Sequence, residues 1–417
     1  MLTTLKNAWG IIEVRKKIIF TLLMFAVFRM AAHIPVPGIS ASALSELFSA
    51  DIWTLVDTFS GGSLKSFTVC AMGIMPYINA SIIMNLLTIC IPYFENLARE
   101  GQEGRKKMAT ITRYGAIVLA LVQAIGMTFY IRGALESATF FNCLVVVVTM
   151  TAGTCFLMWL GELITEHGIG NGISLIIFIG ILASLPNSLR TIVTSLQGGQ
   201  TNIITVILFV VLAVLIIAAT VFIQEAQRRI PVQYAKRMVG RRMYGGQGTH
   251  IPIKVNQTGV IPIIFAMSIL MLPAYIAGLF PQSGVASFIA GLFSQGSWFY
   301  MFMYVLLIIF FTYFYPAVTF NCREIAENMQ KNGGFIPGLR PGKPTSEYLD
   351  SVLTRITLAG AIFLAFIAIL PYLASKFSGL DIYFGGTSLL IVVGVALDTM
   401  KQLDAQVMER QYSGFMK

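Results

Sequence analysis

Apolar residues run along this chain in long unbroken blocks. No Asp, Glu, Lys or Arg falls between Lys254 and Arg323, or between Arg190 and Glu225. Both runs exceed the roughly 20 apolar residues that carry a helix across a bilayer. They lack the apolar/polar alternation, about ten residues long, of an outer-membrane barrel strand. The pattern predicts an all-α polytopic membrane protein with ten transmembrane helices over 18–34, 69–91, 114–131, 143–161, 172–189, 203–224, 256–280, 298–320, 356–375 and 384–400. Composition agrees: 56% of the 417 residues are hydrophobic and 12% charged, where a soluble domain carries about a quarter charged.

Charge then orients the spans. Twenty-four of the 29 Lys and Arg residues fall on one side of this arrangement and four on the other, with Arg29 late in the first span. Basic residues concentrate on the cytoplasmic side, so both termini are expected there, in a multi-pass protein that anionic lipids would favour. The polar, amphipathic start MLTTLKNAWGIIEVRKK shows no cleavage site, and no removable signal peptide is expected. The five cysteines have no CxxC spacing and read as packing residues.

Two apolar blocks contain near-identical turns, GIMPYIN at 73–79 and GVIPIIF at 259–265. Each sits in the second span of a set of five, and the two spans run in opposite directions. The halves, 1–190 and 191–417, are therefore expected to be inverted repeats, with the functional path where they meet. If each helix begins at Val69 and Val255, Ile78 and Ile264 lie nine residues in, roughly 14 Å deep. The competing reading is that proline near a helix end is common and the four matched letters are chance.

The middle of the membrane holds almost no charge. Asn79, Asn85, Gln123, Ser268 and Thr387 are polar but neutral, and interhelical hydrogen bonding would account for them. Arg29 and His33 are near an end from which they can snorkel. Between the first two spans, Ile52, Leu55, Val56 and Phe59 share one helical face before Gly61 and Gly62 break it. That stretch is either an interfacial helix or a re-entrant piece on a glycine hinge, which would require a cavity.

Two long loops, about 226–255 and 321–355, are basic and rich in turn residues. In the first, RIPVQYAKR and THIPIKV flank a tip bearing Arg241 and Arg242, predicting a hairpin. The second holds Gly and Pro around Arg340. Anchoring on the positive side explains their charge but not their length, which points to docking of an anionic partner such as an acidic protein or RNA. GIGNG at 168–172 has no preceding strand and no GK[ST] after it, so it reads as a turn. No catalytic grouping, metal-ligand cluster or cofactor motif is present, and the chain is not expected to be an enzyme.

IPVPGI, FSGGSL, GIMPYINASI, the EGRKK segment, FLMWLGELITEHGIGNGIS, QRRIPVQYAKR, NQTGVIP, FIPGLRPGKPT and FGGTSLLI together resemble the SecY/Sec61-alpha family of protein-conducting channels. The resemblance spans both halves. It implies two inverted five-helix halves that open like a clamshell around a central pore. It implies a pore ring of Ile74, Ile78, Ile173, Ile177, Ile264 and Ile391. A movable plug at about 53–67 would include Trp53, Leu55, Val56, Phe59, Gly61 and Gly62. A lateral gate would be lined by Asn79, Gln123 and Ser268. Docking of the SecA ATPase or a ribosome, with contact to ribosomal RNA, would fall to Lys236, Arg241, Arg242 and Arg340. Leu339 stands beside Arg340 where a branched residue is usual. SecE, SecG and signal-sequence-bearing polypeptides are the further partners implied, and the bacterial cytoplasmic (inner) membrane the location.

An apolar ring suits such a channel because a narrow hydrophobic constriction sheds water and blocks ions. It also offers no hydrogen bonds to trap a passing chain. A secondary transporter of small solutes also uses inverted repeats, but it would require a charged or ion-coordinating centre, which these spans lack.

Overall fold

The computed structural model describes residues 8–39, 57, 60–135, 139–198, 202–234, 237–239, 242–244, 249–257, 259–278, 284–294, 297–378 and 386–415. The first part of the chain forms helices α1 (Ile12–Ala31), α2 (Met75–Cys90), α3 (Pro92–Arg99), α4 (Gln102–Tyr130), α5 (Phe140–His167), α6 (Gly172–Gln197) and α7 (Ile203–Glu225). Strands β1 (Gln227–Tyr234), β2 (Arg237–Val239), β3 (Arg242–Tyr244) and β4 (Thr249–Lys254) follow. Then come α8 (Ile261–Gly278), α9 (Gly284–Leu292), α10 (Trp298–Thr319), α11 (Cys322–Lys331), strand β5 (Gly334–Phe335), α12 (Lys343–Ser378) and α13 (Gly386–Phe415).

Among the described residues, six helical segments are long and apolar enough to cross a membrane, within α4, α5, α6, α7, α12 and the stretch Trp298–Lys331. A seventh is counted if α2 and α3 form one span, but the pair bends by 103°. Ile91 between them is extended and Pro92 opens the second helix, where a missing N–H does no harm. The remaining expected spans are too charged or too short to count among them. Helix α1 begins with Glu13, Arg15, Lys16 and Lys17, α13 carries Asp398, Lys401 and Asp404, and α8 has only a short apolar run. Helix α12 starts at Lys343, well before the expected 356, because its polar N-terminal turns stay helical outside any apolar layer.

Packing follows one pattern twice. Helix α2 packs on α4, α4 on α5, α5 on α6, and α1 on α5 and α6. Further along, α8 packs on α10, α10 on α12, α12 on α13, and α7 on α12 and α13. The two sets meet chiefly through α2 with α8 and α6 with α13. A continuous apolar core crosses that seam, from Ile78, Leu157 and Ile177 to Phe265, Tyr304, Leu364 and Ile391. Helix α7 instead presents Ile203, Ile204, Ile207, Leu208, Val211 and Leu215 outward. An apolar face of that size marks a surface that meets hydrocarbon or another protein.

The GIGNG segment is a turn. Asn171 caps α6, its Oδ1 accepting from the amides of Ile173 at 3.1 Å and Ser174 at 3.3 Å. The expected hairpin also forms. Strands β1 and β4 pair antiparallel with Ile230 opposite Ile251, and β2 and β3 pair with Val239 opposite Arg242. Strand β5, from the second long loop, adds to the other edge of β1, so the sheet order is β4-β1-β5. Both loops thus share a small core of Ile230, Val232, Ile253, Met329, Ile336 and Leu353, separate from the main one.

Candidate functional site

The twin motifs fold alike. Gly73 has φ +58° and Gly259 φ +62°, a region open to glycine but strained for side-chain-bearing residues. Each reversal is followed by a helix with proline as its second residue. In the first turn, the Tyr77 and Ile78 amides both donate to the Ile74 carbonyl at 3.1 Å. Those of Ile263 and Ile264 donate to the Val260 carbonyl at 3.1 and 3.2 Å. Neither helix begins at Val69 or Val255, so the nine-residue helical depth expected from the sequence does not apply. Thr68 to Gly73 is a chain of tight turns, and Ile78 and Ile264 each lie in a first helical turn.

Ile74, Ile78, Ile177 and Ile264 converge on one cavity of about 10 Å³, shared with Ser60, Met267 and Ser268. That is at the lower limit for a single water molecule. Ile391 is fully buried in the surrounding core, and Ile173 packs against that core. Neither lines the cavity.

Beside it lies a second cavity, of about 70 Å³. Asn79 of α2, Gln123 of α4 and Ser268 of α8 all line it, with Leu64, Met72 and Met75. Asn79 and Ser268 are buried, and among the described residues neither the Asn79 Oδ1 nor the Ser268 Oγ has a hydrogen-bond partner. Burying such atoms unpaired costs about 1–3 kcal/mol each. These two atoms therefore do not act as the interhelical hydrogen bonds that their residue types would supply. They face the seam between α2 and α8.

Under the first cavity the chain forms a compact bonded turn. Asp57 is buried, and its Oδ1 accepts the amides of Leu64 at 3.0 Å and Lys65 at 2.9 Å. The Asp57 carbonyl accepts from the Gly62 amide at 2.9 Å and the Ser60 hydroxyl at 3.1 Å. Burial pushes the Asp57 carboxyl above the usual carboxylate range, against the Lys65 amide and the charge on Lys65, which pull it down. Arg29 of α1 does not simply snorkel: its Nη1 donates to the Gly61 carbonyl at 2.9 Å. Trp53, Leu55, Val56 and Phe59 lie outside the described residues.

Arg340 is exposed, and its carbonyl accepts from the Thr345 hydroxyl at 2.8 Å. Arg242 belongs to β3, while Lys236 and Arg241 lie outside the described residues. Sequence reading missed two features, the Asp57 turn and an ion pair between Arg113 of α4 and Glu162 of α5. A lone Asp before a Gly-Gly pair was the available signal for the turn. Nothing local pairs Arg113 with Glu162.

The SecY family profile matches residues 68–400. The protein translocase subunit SecY of Halalkalibacterium halodurans is 49% identical over 430 aligned positions, covering 100% of both chains. Among solved structures, a SecY channel whose plug domain stabilises its closed state and maintains a membrane seal superposes with TM-score 0.68 at 20% identity, over 93% of this chain and 91% of that one. Sec61 from the canine ribosome-channel complex of the endoplasmic reticulum gives TM-score 0.64 at 18% identity, over 93% and 91%. With a curated relative matched end to end and a shared fold across both halves, the chain belongs to the SecY family.

Proposed function

We propose that this chain is the conducting subunit of a bacterial protein translocase, built from ten spans in two inverted halves with both termini in the cytoplasm. The duplicated helix packing, the twin glycine-proline turns and the basic-residue asymmetry support that arrangement. An unfolded polypeptide crosses between the halves through the isoleucine constriction, and apolar segments leave sideways between α2 and α8. Leu, Ile, Phe or Val at a span's centre favours lipid by about 0.3–0.6 kcal/mol, whereas Asp, Lys or Arg costs about 2.5–3.5. A run of some twenty apolar residues therefore partitions out, and a charged stretch continues through.

One observation carries this reading: isoleucines from both halves meet in a cavity of about 10 Å³ that the Ser60 turn also lines. Ile173 and Ile391 form the backing of that ring. The segment at about 53–67 is the plug, seated through Asp57 and Gly61. Asn79, Gln123 and Ser268 form the polar lining of the lateral gate, and the unpaired Asn79 and Ser268 oxygens make the closed seam easier to part. The joined loops carrying Lys236, Arg241, Arg242 and Arg340 dock a motor, SecA or a ribosome, which supplies direction. SecE and SecG complete the complex in the inner membrane.

The test is a photoreactive residue at position 78 in a complex holding a stalled secretory chain. A crosslink to that chain is expected. A crosslink to lipid alone, with counterflow of small solutes, would replace the channel by a transporter.

A further inference from the structure

An arginine late in a membrane-spanning helix is expensive, and it persists where a partner or a water-filled cavity receives it. Arg29 is half-buried near the end of α1, and among the described residues it forms no ion pair. Its guanidinium bonds instead to a backbone carbonyl on a different segment, that of Gly61. The Gly61 backbone also lies close to α6. A β-carbon built on Gly61 would lie 3.2 Å from the Gly180 Cα of α6, 3.3 Å from the Gly180 carbonyl oxygen and 3.2 Å from the Arg29 Nη1. Gly61 thus bonds a cation on α1 and packs closely on the bare backbone of α6.

The surrounding turn is stiff. Ser63 Oγ donates to the Ser60 carbonyl at 2.7 Å, the Thr68 amide donates to the Ser63 carbonyl at 2.9 Å, and Asp57 gathers the Leu64 and Lys65 amides. A force on Gly61 is therefore felt at Ser60, which lines the constriction. We propose that Arg29 is the positioning residue that latches the plug base in its closed seat through the Gly61 carbonyl, against the backbone of α6. This rests on reading the segment as a plug. A charged donor makes the bond roughly twice as strong as a neutral one. Because it grips a carbonyl, the latch is indifferent to the side chains of the segment it holds, and it releases when the turn swings away.

The test is hydrogen exchange on the full chain in its complex, reconstituted in lipid, with ion leak measured in parallel. Arg29→Met removes every donor. The Gly62, Leu64 and Lys65 amides should then exchange about tenfold faster, the scale expected for losing a charged hydrogen bond, while α5 and α12 exchange as before. Arg29→Lys, which keeps the charge and a donor, should restore much of the protection. Gly61→Ala, which pushes a β-carbon toward both Gly180 and the Arg29 guanidinium, should loosen the same amides with the arginine kept in the sequence. Unchanged exchange in Arg29→Met, or an equal rise across all helices, overturns the latch. Faster local exchange with unchanged leak keeps the latch and instead removes the reading of this segment as a seal.

Discussion

The carbonyl oxygen of Val69 lies in the space that a β-carbon on Gly153 would require. Val255 stands in the same relation to Gly360, with its carbonyl oxygen 2.7 Å from the position a β-carbon would take. Each time, a glycine on a long helix admits the backbone just ahead of the twin motif. Gly153→Ala should therefore destabilise the protein by about 1–3 kcal/mol, the range for an overpacked core. Gly360→Ala should cost less, because its contact is less close. Thermal unfolding in detergent measures both, and equal tolerance of the two alanines would contradict the packing.

The isoleucine cavity leads to a second expectation. Replacing Ile78 and Ile264 together by serine widens the constriction and wets it, so ion leak through reconstituted channels should rise. Stability should also fall, by about 2–4 kcal/mol for the buried truncation at Ile78 and by less at Ile264, which is only partly buried. Single-channel recording checks the leak, and an unchanged baseline conductance would remove these residues from the barrier.

Ser268 is a case where losing a polar group should help the closed state. Its hydroxyl oxygen is buried without a partner, so Ser268→Ala should stabilise the closed form by about 1 kcal/mol. Export of substrates with weak signal sequences should decline as the seam becomes harder to open. Melting temperature and export yield are the two readouts, and a fall in melting temperature would be the contrary result.

Asp57 gives a pH dependence with a definite sign. Its carboxyl is pushed up by burial, so the native state binds more protons than the unfolded chain. Stability from this group is then greatest below the ordinary carboxylate value of about 3.9 and declines as pH rises through the higher folded value. Both amide bonds fall on Oδ1, so Oδ2 is the oxygen placed to carry the proton. Exchange of the Leu64 and Lys65 amides should quicken from about pH 4 upward beyond its intrinsic rise, and Asp57→Asn should remove that excess.

Arg340 is exposed, so Arg340→Glu should shift stability by no more than about 0.5 kcal/mol. Motor-driven export should nevertheless drop sharply, because the docking proposed above relies on a positive charge at this position. An export assay alongside a melting curve separates these effects, and normal export would take Arg340 out of the docking surface.

Much of this architecture is legible in the sequence because hydropathy and turn chemistry act locally. The uncharged run from Ile203 to Gln224 is a helix almost to the residue, and the two β-rich stretches around the Gly-Arg tip pair as the arms of a hairpin. The twin motifs are visible as letters, since the same turn needs the same glycine and proline. Other features depend on distant partners. Helix α2 starts at Met75 because Gly73 reverses the chain there, although hydropathy continues unbroken from Val69. Strand β5 is two residues long, too short for any periodicity, and exists because the edge of β1 is available to it. The bonds from Arg29 to Gly61 and from Arg113 to Glu162 join segments whose proximity only the fold creates. The gathering of Asn79, Gln123 and Ser268 around one cavity was expected from the family resemblance, not from their spacing.

The two backbone-bonded residues of β5 have a mechanical consequence. Through them, the extension rooted in α7 and α8 and the one rooted in α10 and α12 become a single stiff handle. Load on either extension is passed to four helices at once, so whatever pulls on this handle would move those helices together instead of flexing one strand of chain.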